Sequence, residues 1–347
     1  MPSVTSGKIL VTGANGYIAL WVVKSLLEKG FSVRGTVRSE AKVNHLKETF
    51  KSFGDKFEVV VVEDITKDGA FDEAVKGIDA IEHTASPFHF NAVDPQELIV
   101  PAVGGTVSVL QSALKYGTDV KRVIVLSSCA AVLEPLTTPK TFNEENWNNL
   151  SIQEVEEKGK DALNSNKYRA SKTLAEKAAW KFVDEHKGEL KWDLVTLNPP
   201  FVFGPTLHEV GSASSLNTSA LDWYESVLEQ TGKDDNALAT GGSCYIDVRD
   251  LALAHVYALE KEAAAGNRFI ISAGTFKWQD FVNAARKYTT GVSAGNQSYK
   301  PEDAVHLIKY DTSKAEKVLG MTYVSLEETT KAILDDFKEK GWWPKKD

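Results

Sequence analysis

A tyrosine and a lysine four residues apart form a pair that could move a proton. Tyr168 and Lys172 fall in an amphipathic stretch that predicts a helix over 168–185. Positions i and i+4 share one helix face, so the ammonium would lie beside the phenol. A neighbouring cation favours the phenolate and lowers the tyrosine pKa. Tyr168 would protonate a carbonyl oxygen as hydride arrives at carbon, and Lys172 would also hydrogen-bond a nicotinamide ribose.

A second tyrosine and lysine have the same spacing. Tyr310 and Lys314 surround Asp311 and Thr312, either of which suits the N-cap of a helix over 312–319. The second tyrosine would then precede its helix and need not share a face with the lysine. Tyr168 is preferred because its helix follows a strand that ends in two hydroxyl side chains.

Those hydroxyls belong to Ser127 and Ser128, which follow an apolar strand predicted over 122–126. Ligands bind at the carboxyl ends of strands in open α/β sheets. One serine could donate to a substrate carbonyl and stabilise the developing oxyanion. Alone, both serines also fit an ordinary loop, so their role depends on Tyr168 and on a cofactor motif.

The element that would hold a cofactor is at the N-terminus. An apolar strand over 8–11 runs into Gly13-Ala14-Asn15-Gly16-Tyr17-Ile18-Ala19, and a helical pattern over 17–29 follows. Gly13 permits a sharp turn, Gly16 lets a pyrophosphate approach bare backbone, and Ala19 allows close helix–strand packing. The helix N-terminus would face the anion. The spacing differs from the standard G-x-G-x-x-G, and the β-α-β context carries the prediction of nucleotide binding.

The end of the second predicted strand favours NADP(H) over NAD(H). Many NAD enzymes place an Asp or Glu there for the ribose 2′-hydroxyl, whereas this chain has Arg38, with Lys42 nearby. A planar, permanently charged guanidinium suits a 2′-phosphate. The negative charge of Glu40 nearby weakens this argument slightly. The alternative interpretation is that Arg38 is a solvated charge at the strand end.

Strands and helices alternate through the first two hundred residues. Strand-like apolar runs cover 8–11, 31–36, 57–62, 80–83, 122–126 and 194–197. Helical patterns cover 17–29, 43–53, 71–76, 99–116 and 168–185. This alternation predicts an α/β fold with a doubly wound parallel sheet, the Rossmann architecture.

The character of the sequence changes after Pro199. We expect an NADP-binding Rossmann domain over 1–200, to which 243–275 returns, and a smaller substrate-binding lobe built from 201–242 and 276–347. Asp250 is a plausible N-cap for a helix over 251–260. Further helices are expected over 221–229, 278–288, 312–319 and 326–340, and a strand over 268–271.

Bulk composition narrows the classes of partner. The formal charge of −8 argues against nucleic acid. Cys129 and Cys244 need no disulfide framework, and the histidines and cysteines lack metal-ligand spacing, so no metal is expected. We see no signal peptide, no apolar run of membrane-spanning length and no C-terminal address. The expectation is a cytoplasmic monomer or homodimer without a membrane partner.

Longer motifs occur in order along nearly the whole chain: VTGANG (11–16), HTASPF (83–88), PAV (101–103), YxxSK (168–172), AEKAAW (175–180), NPPFVFGP (198–205), LNT (216–218) and YIDVRD (245–250). Together they resemble the extended short-chain dehydrogenase/reductase superfamily. Within it, the chain is most similar to the dihydroflavonol-reductase-like branch and its fungal NADPH-dependent aldehyde, methylglyoxal and ketone reductases.

The resemblance implies an NADPH-dependent carbonyl reductase with Ser128 as carbonyl-polarising donor, Tyr168 as acid and Lys172 as ribose anchor. Arg38 and Lys42 would hold the 2′-phosphate. The remaining implied cofactor residues are Gly13, Asn15, Gly16, Tyr17, Ile18, Asp64 and Ile65 (beside the adenine), Thr84, Ala85 and Ser86 (along the channel), and Pro199 (at the nicotinamide). The substrate would meet Phe88, Ser128, Tyr168 and Phe201, while His83 is expected to be a packed strand-end residue.

Three positions depart from the family pattern. Ala19 replaces the commoner third glycine, Cys129 stands where relatives often carry a bulkier residue, and Phe201 stands where some carry a tyrosine. These changes leave the substrate open. The alternatives are a dihydroflavonol-type reductase of larger phenolic ketones, a nucleotide-sugar epimerase, and a non-catalytic NADP(H) sensor.

Overall fold

The computed structural model describes residues 3–86 and 92–343. The strands are β1 (Lys8–Thr12), β2 (Ser32–Val37), β3 (Phe57–Val61), β4 (Ala80–His83), β5 (Arg122–Leu126), β6 (Lys140–Phe142), β7 (Asp193–Asn198), β8 (Phe201–Phe203), β9 (Gly242–Asp247), β10 (Arg268–Ile270), β11 (Gly274–Lys277) and β12 (Ile308–Tyr310). The helices are α1 (Tyr17–Glu28), α2 (Val43–Thr49), α3 (Gln96–Tyr116), α4 (Asn149–Lys158), α5 (Asn164–Glu185), α6 (Thr218–Trp223), α7 (Asp235–Thr240), α8 (Val248–Glu260), α9 (Trp278–Ala285), α10 (Ser313–Leu319) and α11 (Leu326–Glu339).

The larger sheet contains seven parallel strands in the order β10-β7-β5-β4-β1-β2-β3. The predicted doubly wound parallel sheet is therefore confirmed. From β1 the chain builds β2 and β3 on one side and then β4 and β5 on the other. The strand order reverses between β1 and β4, and the loops after these two strands leave the crevice in which such folds bind ligands.

Alternate residues of β1 pack on opposite faces of this sheet. Ile9 and Val11 belong to the core covered by α1 and α8, whereas Leu10 belongs to the core covered by α3 and α5. All three are fully buried. A strand buried on both faces reads as a continuous apolar run, which explains why the sequence alone located it.

Residues 71–76, expected as a helix, form turns. Gly69 and Gly77 flank the segment with φ angles of +73° and +66°, which an α-helix does not contain. The stretch between them is too short to sustain a helix by itself. Phe71 is nevertheless fully buried. The apolar pattern therefore predicted burial correctly, but its prediction of a helix is wrong.

Asp247 caps α8, and the expectation that Asp250 does so is wrong. The Asp247 carboxylate accepts the Arg249 N–H at 2.8 Å, and the helix begins at Val248. Asp250 lies in the first turn, where its carboxylate accepts the Val324 N–H at 2.7 Å. The second carboxylate thus ties the loop between α10 and α11 to the helix.

A second core is largely aromatic and lies around a small sheet of order β11-β9-β8. The Phe281 ring centroid is 5.2 Å from Phe203 and 5.1 Å from Phe276, and Trp223 and Phe337 extend the cluster. The segment 243–275 divides between the two parts: β10 pairs with β7 in the large sheet, whereas β9 belongs to the small one. The expected lobe boundaries remain a prediction.

Among the described residues, the 21-residue helix α3 is the one long and apolar enough to span a membrane by length and composition. The expectation that no apolar stretch reaches that length was therefore too strict. Half of the apolar window is buried in the fold, where α3 packs along α5. A long apolar helix in a protein core has the same length and composition as a membrane-spanning helix.

Candidate active site

The turn after β1 leaves backbone uncovered at the start of α1. Gly13 has a φ of +65°, and a Cβ there would lie 3.1 Å from both Cα and Cβ of Ala85, so only glycine fits between the β1 and β4 loops. Gly16 is exposed and precedes α1 without a capping side chain, and the first helical turn contains no acidic residue. These features suit an anion at the helix N-terminus.

Thr12 joins the two loops that border the crevice. Its hydroxyl accepts the N–H groups of Thr84 and Ala85, each at 3.1 Å, and lies 2.9 Å from Nδ1 of His83. Burial, with a smaller effect from Lys172, lowers the pKa of His83 to about 3. The imidazole is therefore neutral and packed at neutral pH. Thr84 and Ala85 lie directly beside the glycine turn.

The three predicted catalytic side chains meet beside Ser86. Lys172 Nζ donates to Ser86 Oγ at 3.0 Å and lies 5.9 Å from the centroid of the Tyr168 ring. The Ser128 side chain faces the Tyr168 phenol and acts to lower the pKa of that phenol. The loop after β4, the end of β5 and helix α5 thus converge at the carboxyl edge of the large sheet.

Burial sets the proton affinities of this group. It raises the pKa of Tyr168 to about 12, while the Ser128 side chain acts in the lowering direction. Burial lowers the pKa of Lys172 to about 8. At neutral pH the site therefore holds a phenol and an ammonium, which is the protonation state that a tyrosine acid with a supporting cation requires.

The two serines after β5 have different partners, since consecutive residues of extended chain face opposite sides. Ser127 Oγ donates to Glu176 Oε2 at 2.6 Å. Ser128 Oγ accepts the Ala130 N–H at 3.1 Å and donates to the Pro199 carbonyl at 3.5 Å. Ser128 is therefore the serine that faces the phenol, and it brings Pro199 to the same wall.

Arg38 and Lys42, the two residues predicted to bind the 2′-phosphate, differ in their ion-pair partners. Arg38 directly follows β2 and is exposed, and no carboxylate of the described residues forms an ion pair with its guanidinium. Lys42 Nζ lies 2.9 Å from Glu209 Oε2. Lys42 thus has an acidic partner, whereas Arg38 has no ion-pair partner among the described residues.

Asp64 and Ile65 follow β3, on the same side of β1 as Arg38. Asp64 Oδ1 accepts the N–H and the hydroxyl of Thr66 at 2.9 and 2.6 Å, and these hydrogen bonds lower the pKa of Asp64. Ile65 packs on α3, where a Cβ on Gly105 would lie 2.6 Å from Ile65 Cδ1. Both residues are thus at the carboxyl edge of the sheet.

The side chains that open α1 face the protein interior. The Tyr17 hydroxyl donates to the Gly204 carbonyl at 3.0 Å, and its ring lies edge-on to His208 at 5.4 Å. Ile18 packs against the core of the large sheet. These side chains anchor the helix, so their cofactor contacts would come from the backbone. Asn15 is half-buried in the turn.

Phe201 is the described aromatic residue predicted to wall the substrate pocket. It exposes 39% of its surface, and its other side stacks on Phe203 at 5.9 Å between ring centroids. An apolar face therefore remains available while the ring is held by the aromatic core. The other predicted wall residue, Phe88, lies outside the described residues.

The second tyrosine–lysine pair does not form a comparable site. Tyr310 lies in β12 with its ring 6.3 Å from that of Phe142, and α10 begins after it at Ser313. Lys314 Nζ lies 5.3 Å from the centroid of the Phe269 ring. The helix boundary expected from the capping pattern thus separates these two side chains.

Sequence reasoning assigned no role to Thr12, Glu176 or Asn198, although all three lie within motifs that carried the family resemblance. Thr12 links the two crevice loops. Glu176 and Asn198 are buried and hydrogen-bonded to each other at 2.7 Å. For Glu176 the sequence did offer a signal, because a carboxylate stands inside an apolar helical pattern one turn after Lys172.

A family model described as the NAD dependent epimerase/dehydratase family matches residues 9–274, more than half of the sequence. The chain belongs to that family. This confirms the resemblance to the extended short-chain dehydrogenase/reductases, of which the fungal NADPH-dependent reductases below are the relatives expected from the motifs.

Two curated fungal relatives match over most of both chains. Ketoreductase azaE of Aspergillus niger is 38% identical, with 92% of this chain and 94% of that protein covered. The NADPH-dependent methylglyoxal reductase GRE2 of Saccharomyces cerevisiae is 36% identical, with 92% and 95% covered. The crystal structure of Gre2 from Candida albicans in complex with NADPH matches with a TM-score of 0.84 and 34% identity, covering 96% of this chain and 98% of that one.

Proposed function

We propose that this protein is an NADPH-dependent reductase that converts aldehydes and ketones into alcohols. The proposal rests on three neighbouring interactions. Lys172 donates a hydrogen bond to Ser86, its ammonium lies near the Tyr168 ring, and Ser128 faces the Tyr168 phenol. These contacts support the assignment of an acid, a cation and a hydroxyl donor to the crevice at the reversal of strand order. The relatives named as an NADPH-dependent methylglyoxal reductase and a ketoreductase support the same reaction class.

The residues at the crevice fit a reduced dinucleotide. Gly13 and Gly16 leave room for a pyrophosphate at the start of α1, and Lys172 would hydrogen-bond the nicotinamide ribose. Arg38 supplies a permanent charge for the 2′-phosphate. When bound, the reduced nicotinamide supplies a hydride.

Side chains of the protein supply the proton that the carbonyl oxygen receives. The Ser128 hydroxyl donates to the substrate carbonyl and stabilises negative charge on its oxygen. Tyr168 donates its phenolic proton to that oxygen, and the Lys172 ammonium stabilises the resulting phenolate. Since the Lys172 pKa is about 8, the cation is present at neutral pH.

The exposed face of Phe201 supports small or moderately apolar substrates. Its ring stacks on Phe203 of the aromatic core, which restricts the movement of this side of the pocket wall. We place the substrate between this wall and the Tyr168 phenol. Residues 201–242 and 276–347 would supply the rest of the substrate lobe. A larger phenolic ketone is the competing substrate class.

The test is NADPH and NADH oxidation across aldehydes, diketones, ketoesters and flavonoid ketones, with chiral analysis of the alcohols. Tyr168→Phe should lower kcat by about 10²- to 10⁴-fold and leave the NADPH dissociation constant within twofold. Tyr310→Phe is the matched control, since it removes a buried phenol at the same motif spacing, and it should retain wild-type turnover.

The outcomes separate the alternatives. Full activity of Tyr168→Phe would contradict the proton-donor assignment. Flavonoid ketones as the preferred substrates would favour the larger-ketone reductase. Release of tightly retained nucleotide on denaturation, without stoichiometric NADPH consumption, would favour an epimerase. Complete inactivity over the panel with intact NADPH binding would favour a sensor.

A further inference from the structure

A buried carboxylate lies behind the candidate active site and takes no part in the proposed chemistry. Glu176 is 1% exposed and lies on α5, one helical turn after Lys172 and two after Tyr168. Residues at this spacing share one face of a helix. The face that carries the proposed acid and cation therefore also carries this carboxylate.

Four donors from other parts of the fold converge on Glu176. Its Oε2 accepts from Ser127 Oγ at 2.6 Å and from Asn198 Nδ2 at 2.7 Å. Its Oε1 accepts from Arg268 Nε at 2.6 Å and from Thr196 Oγ1 at 3.0 Å. The partners belong to the end of β5, to β7 and to β10, so one side chain joins α5 to three neighbouring strands.

The same network reaches the backbone of Ser128. Asn198 Nδ2 donates to the Ser128 carbonyl at 3.1 Å as well as to Glu176. The Cys129 N–H donates to the Pro199 carbonyl at 2.9 Å, which holds the next residue of the same segment. The segment that presents the Ser128 hydroxyl is therefore tied to α5 through Glu176.

We propose that Glu176 is a positioning residue that sets the separation between the Tyr168 phenol and the Ser128 hydroxyl. The two groups lie on different elements, and the carboxylate bonds both the helix of the first and the strand end of the second. This inference rests on the proposed function, because it concerns how that reaction's acid and donor are held together.

The chemistry of the four partners requires a carboxylate. An ionised carboxylate only accepts hydrogen bonds, and every partner here donates. Glutamine in its place would point its amide N–H₂ group either at Ser127 and Asn198 or at Thr196 and Arg268. Either orientation sets donor against donor and leaves the guanidinium without its counter-charge. Glu176→Gln therefore disturbs the network with almost no change in volume.

The decisive comparison is Glu176→Gln against Asp193→Asn. Asp193 is partly buried and pairs with the fully buried Arg122 at the amino ends of β5 and β7, with Arg122 Nε 2.6 Å from its Oδ1. We expect Glu176→Gln to lower kcat at least tenfold and to leave NADPH affinity within twofold. We expect Asp193→Asn to reduce stability while kcat per folded molecule stays within twofold of wild type.

The pH profile supplies a readout that a purely structural role would not move. Among the residues that the structure describes, Ser128, Cys129 and Lys172 face the phenol. Weakening the interaction with Ser128 raises the pKa of Tyr168, so the ionisation of this phenol, followed by phenolate absorbance as a difference against Tyr168→Phe, should move to higher pH in Glu176→Gln. Loss of a negative charge by itself would move it to lower pH.

A second readout needs neither cofactor nor turnover. The ¹³Cζ resonance of Tyr168, assigned through Tyr168→Phe, should shift in Glu176→Gln and stay in place in Asp193→Asn. An unshifted resonance, an unchanged kcat or a Tyr168 ionisation moved to lower pH would overturn the inference. Wild-type inactivity over the carbonyl panel would instead overturn the proposed function.

If Glu176→Gln does not fold, Ser127→Ala carries the test. It removes one contact to the carboxylate and leaves the pairing with Arg268 intact. The expected result is a smaller loss of kcat, about threefold, with the ionisation of Tyr168 displaced to higher pH. Wild-type kcat and an unmoved Tyr168 ionisation in Ser127→Ala would overturn the inference.

Discussion

Lys172 carries its charge in a place that disfavours a cation. Burial lowers its pKa to about 8, although the ammonium donates to Ser86 Oγ at 3.0 Å. The unfolded chain holds this proton up to a pKa of about 10.4. The penalty for charging Lys172 is therefore complete below pH 8 and is relieved as the pH rises towards the unfolded pKa, where neither state is charged.

Lys172→Met should consequently trade activity for stability. We expect the free energy of unfolding at pH 7 to rise by on the order of 1–2 kcal/mol, with a gain that shrinks towards pH 10, and turnover to be lost. Denaturant titrations at the two pH values measure this. Lys181→Met is the control, since Lys181 is exposed on the same helix. An equal gain at both pH values would contradict the explanation.

Arg38 should govern the choice between the two dinucleotides. Arg38→Gln removes the charge proposed for the 2′-phosphate, so KM for NADPH should rise about tenfold or more while KM for NADH changes little. Lys42→Gln should have a smaller effect, because Lys42 is already paired with Glu209. Steady-state kinetics with both cofactors measure the ratio. A larger effect of Lys42→Gln would reverse the assignment.

At the scale of elements, the two glycines of the β1–α1 turn have different roles. Gly13 has a φ of +65°, which L side chains rarely adopt, whereas Gly16 has a φ of −75°, which any residue adopts. A Cβ would lie 3.1 Å from Ala85 at Gly13 and 3.3 Å from the Gly13 carbonyl oxygen at Gly16. Gly13→Ala should therefore lower stability, by about 1–3 kcal/mol, as well as weaken NADPH binding.

Gly16→Ala should separate binding from folding. The free energy of unfolding should change by less than about 1 kcal/mol, while the NADPH dissociation constant rises at least tenfold, because a methyl group would stand where the pyrophosphate approaches. Denaturant titration and NADPH titration of Gly13→Ala and Gly16→Ala provide the comparison. Unchanged NADPH affinity in Gly16→Ala would place the pyrophosphate elsewhere.

The elements that the sequence located well are those whose own residues determine them. The strand β5 was expected over 122–126 and runs from Arg122 to Leu126, because its apolar run is buried on both faces. Residues 71–76 failed as a helix because the flanking glycines adopt positive φ. The short strands β8, β11 and β12 went unrecognised, since each is defined by pairing with a distant segment.

For the whole molecule, the aromatic core should connect stability to substrate binding. Phe281→Ala removes a fully buried ring among Phe203, Phe276 and Trp223 and should cost about 3–5 kcal/mol. The loss should also raise KM for the carbonyl substrate, because Phe203 supports Phe201.

Phe31→Ala is the matched control for that prediction. Phe31 is buried in the core of the large sheet, so a similar loss of stability is expected with KM for the carbonyl substrate unchanged. Denaturant titrations and kinetics well below both midpoints measure the two effects. Equal changes in KM would show that the aromatic core does not support the substrate wall.

The sequence by itself determined the parallel sheet, the glycine turn and the helix that pairs Tyr168 with Lys172, because these depend on neighbouring residues, on continuous apolar runs and on the helical repeat of 3.6. The resemblance also singled out Ser128. Only the tertiary structure decided that Glu209 pairs with Lys42 and that Glu176 meets Arg268. Those partners are 167 and 92 positions apart. No local pattern encodes such contacts, since they exist only after the sheet brings distant strand ends to one edge.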